Sequence, residues 1–305
     1  MRMVLSRGSA LMLLVGGAVS CTAIPPAAGD ADAAVDAEVA VTTPPPAEAA
    51  EPLRSDFWFN GDPRQGAVIV GRVPTGAASV SLNGQPLKIT ADGFFLMGFG
   101  RDAENSASLV WQVADGNEQQ RYLPVRAGNW KIEHVNVSRR GGARTSAEFR
   151  RRRGPELAQI NAARRQRNQS DGWRQDFIWP VKGRLSGFFG SQRIYRGTPG
   201  SYHSGMDIAA PTGTPFVAPA DGVVILAARS AFTLEGHLLM IDHGMGLNSA
   251  FLHCSELLVN VGDPVKQGQA IGRVGNTGRA TGPHLHWGMK WNAARVDPLL
   301  LVPPQ

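Results

Sequence analysis

Short runs in which hydrophobic and polar residues alternate dominate two stretches of the chain. In the first, residues 53–137, the runs 67–73, 78–82, 93–97, 108–113 and 120–125 are separated by turn-forming residues. A period of two puts successive side chains on opposite faces of a strand, so each run predicts a half-buried β-strand. Asn83-Gly84 sits between two such runs, and both residues tolerate the positive φ that a tight hairpin needs. Regular short strands of this kind predict a small β-sandwich of immunoglobulin-like type over 53–137. In the second stretch, 173–305, strand-like runs recur at 183–190, 211–217, 222–227, 237–241, 248–252, 270–274 and 284–289, with many glycines between them. Helical periodicity is nearly absent. The fold class expected is therefore all-β, with the second domain an antiparallel sheet rimmed by glycine-rich loops.

The remaining stretches break this pattern. Residues 138–172 are rich in arginine, with Arg139, Arg140, Arg144, Arg150 to Arg153, Arg164, Arg165 and Arg167. Glu156 to Ala163 favours helix and Pro155 suits a first helical turn, which predicts a partly helical connector. Two readings of its charge are open: a solvated linker, or an electrostatic contact with anionic glycan strands or lipid head groups. Residues 21–52 are rich in Ala, Pro, Asp and Glu and contain no Lys or Arg over 22–51, a composition that predicts a flexible tether. Residues 1–20 carry Arg2 and Arg7 followed by the apolar run 10–19, which is short for a bilayer span and reads as an export signal. Cleavage after Ser20 would leave Cys21 at the new terminus, as in lipoproteins whose cysteine is acylated to anchor them in a membrane. Ordinary cleavage near Ser20 or Ala23 is the alternative, and either route exports the chain. The net charge of +6 suits work near anionic polymers, and export makes nucleic acid the least suitable of them.

Candidate chemistry concentrates at the end of the chain, where six of the seven histidines fall. His284 and His286 share one face of a strand. His203 and Asp207 are four apart, an even separation that also puts them on one side of extended chain. Two neutral imidazoles and a carboxylate, with a fourth position left for water, are a typical ligand set for a catalytic zinc ion. Cys21 and Cys254 are too few for a thiolate-rich structural site. In a strand, Cys254 faces away from His253, which predicts a buried, inert thiol. Gly205 either lets the backbone pass close to the site or is an ordinary turn glycine. His237 and His243 read as structural.

His203-x-Gly205-x-Asp207, Phe251-Leu252-His253 and Gly282-Pro283-His284-Leu285-His286, with 209–215 and 218–222 between them, resemble the lysostaphin-type (LytM-domain) zinc metallo-endopeptidases of bacterial cell walls. The resemblance covers about 179–302. It implies one zinc ion held by His203, Asp207 and His286, with a water completing the shell. His253 and His284 then match the family's two other histidines, and they imply groups that take a proton from water or stabilise the developing oxyanion. No HExxH motif is present, so a glutamate base on a helix is not supported.

The resemblance also implies a substrate, the stem or cross-link peptides of peptidoglycan, and a place of action in the periplasm or cell envelope. Some relatives keep the fold, lose zinc ligands and switch on cell-wall amidases, so a non-catalytic activator or wall-binding protein is the alternative. Retention of all three ligands and both further histidines favours the enzyme.

Overall fold

A computed structural model describes residues 56–113, 116–138 and 146–305. The export signal, the tether, Cys21, Arg139, Arg140 and Arg144 lie outside the described residues. The all-β expectation holds. Two antiparallel sheets face each other in the first part: one joins Trp58–Phe59, Val68–Arg72 and Phe94–Gly98, the other Gln85–Pro86, Ala77–Leu82, Ser106–Val113 and Glu118–Pro124. Their inward residues, including Ile69, Phe95, Met97, Val80, Leu109 and Trp111, form one apolar cluster. Asn83 and Gly84 make the expected hairpin with φ of 49° and 75°.

An eight-stranded antiparallel sheet forms the second part. Its strands run in the order Pro264–Val265, Gly222–Phe232, Gly236–Asp242, Leu247–Cys254, His284–Trp291, Met206–Ala209 and Arg184–Gly187, and Ala294–Val296 also pairs with His284–Trp291. Alternation along these strands supplies two apolar faces. Leu239, Ile241, Leu285, Trp287 and Met289 point into the main core, which a small sheet of Pro215–Val217, Ala270–Arg273 and Glu256–Leu257 closes through Phe216 and Ile271. Leu238, Met240 and Ala250 point to the opposite face, the one that also carries His284 and His286.

Two expectations change. The sandwich expected over 53–137 takes in His134, but the strand that carries it, Ile132–Val135, pairs in parallel with Gln192–Tyr195 of the second part. The four residues of this strand are mostly exposed, so no buried face ties them to the sandwich. The arginine-rich segment forms a helix, Ala147–Arg165, that starts eight residues before Pro155; Ser146 caps it, its Oγ accepting from the Phe149 N–H at 3.0 Å. Pro155 therefore lies inside the helix rather than in its first turn.

The helix is docked as well as charged. Ile160 and Ala163 are buried against Ile225, Ala228, Phe232, Leu238 and Met240. Glu156 accepts from the backbone N–H of Thr233 at 2.7 Å and from its hydroxyl at 2.6 Å, and Arg153 donates twice to Glu235 at 2.6 and 2.8 Å. Among the described residues no helix is long and apolar enough to cross a membrane.

His243 is fully buried, as its structural reading requires. Its Nδ1 donates to the Asp221 carbonyl at 2.8 Å and its Nε2 accepts from the Ser249 hydroxyl at 2.8 Å, while Trp287 Nε1 donates to that same Ser249 oxygen at 3.2 Å. Burial pushes the imidazole down to about 4.

Ile160→Ala should lower unfolding free energy by about 2–4 kcal/mol, the usual range for emptying a buried site. Leu157→Ala, on the 40% exposed side of the helix, should change it by less than about 0.5 kcal/mol. Equal effects in urea titrations would show a solvated connector instead. A second outcome concerns acid. His243 has a folded pKa below its unfolded value, so the unfolded chain binds the extra proton and stability rises with pH. About 3 kcal/mol should be lost as pH falls from 6.5 to about 4, and His243→Gln should make that slope shallower in denaturation series.

Candidate metal centre

Sheet register brings the site together. On the central strand His284–Trp291, His286 lies directly opposite Asp207 of Met206–Ala209 and opposite Leu252 of Leu247–Cys254 on its other side. His203 enters from the loop before Met206–Ala209. The result is a tight triangle: His203 Nε2 to Asp207 Oδ1 is 3.1 Å, His203 Nε2 to His286 Nδ1 is 3.1 Å, and His286 Nδ1 to Asp207 Oδ1 is 2.8 Å. Among the described residues these three form the group of His, Cys, Asp and Glu side chains able to hold a metal ion. Two imidazole nitrogens and one carboxylate oxygen fit a zinc-type donor set.

Hydrogen bonds to the far side of the rings fix which nitrogen faces inward. His203 Nδ1 donates to the Phe188 carbonyl at 3.1 Å, and since a carbonyl only accepts, the neutral ring presents Nε2 to the centre. Burial would lower the His203 pKa and raise that of Asp207. Their mutual contact overcomes both, raising the histidine and, with His286, holding the carboxyl well below the usual carboxylate range. Burial lowers His286.

His284 and His253 stand beside this triangle. His284 Nε2 is 3.7 Å from Asp207 Oδ1, and the His253 and His284 rings are 4.9 Å apart. Each is oriented in the same way, with Nδ1 donating at 2.8 Å to a backbone carbonyl, that of Thr277 for His253 and that of Gly282 for His284. Each therefore keeps a free lone pair on Nε2. Burial is the main cause that brings His253 down to about 4, so the ring is neutral near pH 7. His253 also holds a left-handed backbone with φ of 65°, a conformation that costs a residue other than glycine about 1–3 kcal/mol and persists only under constraint. The constraint is the loop Thr277 and the hairpin residue Glu235, whose carbonyl accepts from the His253 N–H at 2.8 Å.

All five residues singled out in the sequence thus meet in one place. Gly205 is needed for close approach: a Cβ there would lie 2.5 Å from the Trp287 carbonyl and 2.7 Å from His286 Nε2. Cys254 faces the core, fully buried, and burial pushes its thiol up to about 12. His237 donates from Nδ1 to Ala228 and has a structural role. Sequence reasoning missed Phe188, Thr277, Gly282 and Glu235, because each acts through a backbone carbonyl that any residue type supplies.

Known proteins resemble this chain, most clearly over its second part. The sequence model of Peptidase family M23 matches residues 201–298. The peptidoglycan DD-endopeptidase ShyA of Vibrio cholerae is 41% identical over 112 residues, which are 36% of this chain and 26% of that protein. The cell division protein DipM of Caulobacter vibrioides is 36% identical over 133 residues, 42% of this chain and 21% of that protein. The chain therefore matches only about a quarter of these relatives' length. A solved Pseudomonas aeruginosa structure assigned to peptidase M23 is 30% identical, with a TM-score of 0.59, and the match covers 79% of this chain and 95% of that one. Since the likeness spans nearly all of that structure, the chain belongs to peptidase family M23.

Proposed function

We propose that this chain is a zinc-dependent endopeptidase that hydrolyses peptide cross-links or stem peptides of bacterial peptidoglycan. The observation that carries the reading is the convergence of His203 Nε2, Asp207 Oδ1 and His286 Nδ1, with two further imidazoles turned towards the same point. His203, Asp207 and His286 would hold one ion and leave a position for water or a peptide carbonyl. The name of the Vibrio relative, a peptidoglycan DD-endopeptidase, supports the substrate class. Export to the periplasm or cell envelope, with or without acylation of Cys21, belongs to the same reading because that substrate lies outside the cytoplasmic membrane.

Zinc, when bound, supplies a Lewis acid that acidifies water and polarises the scissile carbonyl. The chain's own residues do the rest. With Nδ1 tied to carbonyls, His284 and His253 each offer Nε2 as a base. As water adds to the carbonyl carbon, its proton passes to one of these nitrogens and then to the leaving nitrogen as the C–N bond breaks. Asp207 stays ionised throughout and offsets positive charge on the neighbouring rings.

Incubating purified sacculi with the protein and zinc should release new free amines, and a chelator should abolish the release. His203→Ala should bind zinc more than about 100-fold more weakly, a larger loss than removal of a ligand's hydrogen-bond partner causes. His284→Ala should keep its zinc while losing about 10²- to 10⁴-fold in rate, the usual contribution of a positioned proton-transfer group. Release of intact stem peptides from muramic acid would identify an amidase and sink the endopeptidase reading.

A further inference from the structure

Arg101 lies in the sandwich, just beyond its strand Phe94–Gly98, and is buried with 9% of its surface exposed. It is far in sequence from every residue of the metal centre. Its guanidinium nevertheless reaches into the second part of the chain: Nε donates to the Gly190 carbonyl at 2.9 Å and Nη2 to Gln192 Oε1 at 3.0 Å. Gln192 in turn donates from Nε2 to the Gly200 carbonyl at 2.7 Å, closing the loop that ends at His203. The same guanidinium stacks over Tyr202, the residue before His203, at 5.0 Å from the ring centre, and lies 5.9 Å from that of Trp130.

The turn that Arg101 grips also holds the metal-site imidazole. Gly190 N–H donates to the His203 carbonyl at 2.9 Å, the His203 N–H donates to the Ser191 carbonyl at 2.8 Å, and the ring's Nδ1 donates to Phe188 at 3.1 Å. Backbone and ring of His203 are thus fixed by residues 188–191. Trp130 presses on the other side of the turn: its ring fills the space beside Gly190, where a Cβ would lie 2.3 Å away, and it packs edge-on against Phe189.

From this geometry we infer that Arg101 is a positioning residue for His203, so that the sandwich forms part of the support of the metal centre. The fork shape of the guanidinium is what suits it: two donors in fixed geometry hold Gly190 and Gln192 at once, while its flat face packs on Tyr202. A lysine at this position has the charge without the fork. The inference rests on the proposed metal role of His203.

The test uses the full chain and compares wild type, Arg101→Ala, Arg101→Lys, His203→Ala and a sandwich-core trim, Ile69→Val, that touches none of these contacts. Zinc affinity is measured by competition with a chelator, the cobalt-loaded visible spectrum reports ligand geometry, and nitrogen NMR of metal-free protein reports the His203 tautomer. Arg101→Ala should weaken zinc binding by about 10- to 100-fold, the size typical of outer partners of metal ligands. Arg101→Lys should fall between it and wild type. Both should alter the cobalt spectrum and reduce the Nδ1–H preference of His203, while Ile69→Val changes neither. If wild type and His203→Ala bind zinc alike, the metal reading itself fails and takes the inference with it. If His203→Ala loses zinc but Arg101→Ala keeps wild-type affinity, spectrum and tautomer, only the role of Arg101 is overturned, whatever its melting temperature.

Discussion

Everything at the candidate metal centre depends on Asp207 and His286 standing opposite each other on adjacent antiparallel strands. Side chains on a strand alternate faces, so a one-residue slip of His284–Trp291 would send both its histidines into the core and expose Leu285 and Trp287. The apolar side prevents it. Leu285 and Trp287 are fully buried and Met289 nearly so, and Trp287 Nε1 is tied to Ser249, which is tied to His243. The core face of the strand thus sets the register from which the polar face takes its geometry.

Once register has gathered the imidazoles, tautomers divide them. Three of the four rings, His203, His253 and His284, donate Nδ1–H to backbone carbonyls and present Nε2. His286 differs, with Nδ1 turned towards Asp207. The carbonyls come from two loops, one at Phe188 and one that holds both Thr277 and Gly282 between Ala270–Arg273 and His284–Trp291. The chain itself consequently fixes the orientation of these rings.

The side chains that converge were legible because side-chain type and a period of two mark them. His203, Asp207, His253, His284 and His286 could be named from spacing and resemblance, and the hairpin at Asn83-Gly84 followed from backbone sterics. Their supports were not. Phe188, Thr277 and Gly282 act through carbonyl oxygens, and Arg101 acts across 89 residues on Gly190, a pairing that no local pattern encodes. Similarly, the strand Ile132–Val135 that carries His134 pairs with Gln192–Tyr195 and not within the sandwich, and its mostly exposed residues have no inward face to mark which sheet receives it. The helix Ala147–Arg165 reads as polar because three of its residues, Glu156, Ile160 and Ala163, make up its buried side. A stripe that narrow is lost among arginines.

The two parts of the fold are less separable than their sequences suggest. Leu96 of the sandwich belongs to the main core of the large sheet, with Val68, Val70 and Phe94 packed against it. Gly98 lies so close to Trp291 that a Cβ would be 2.7 Å from the indole. Arg174 pairs with Asp92 at 2.9 Å and stacks on Phe94 at 4.7 Å. Swinging the sandwich away from the sheet would expose this apolar surface, at about 25 cal/mol for every Å² returned to water, and would break the ion pair too. A hinge between the parts is therefore costly. Beside the histidines, Phe188 stands 45% exposed while its own carbonyl holds the His203 ring in place.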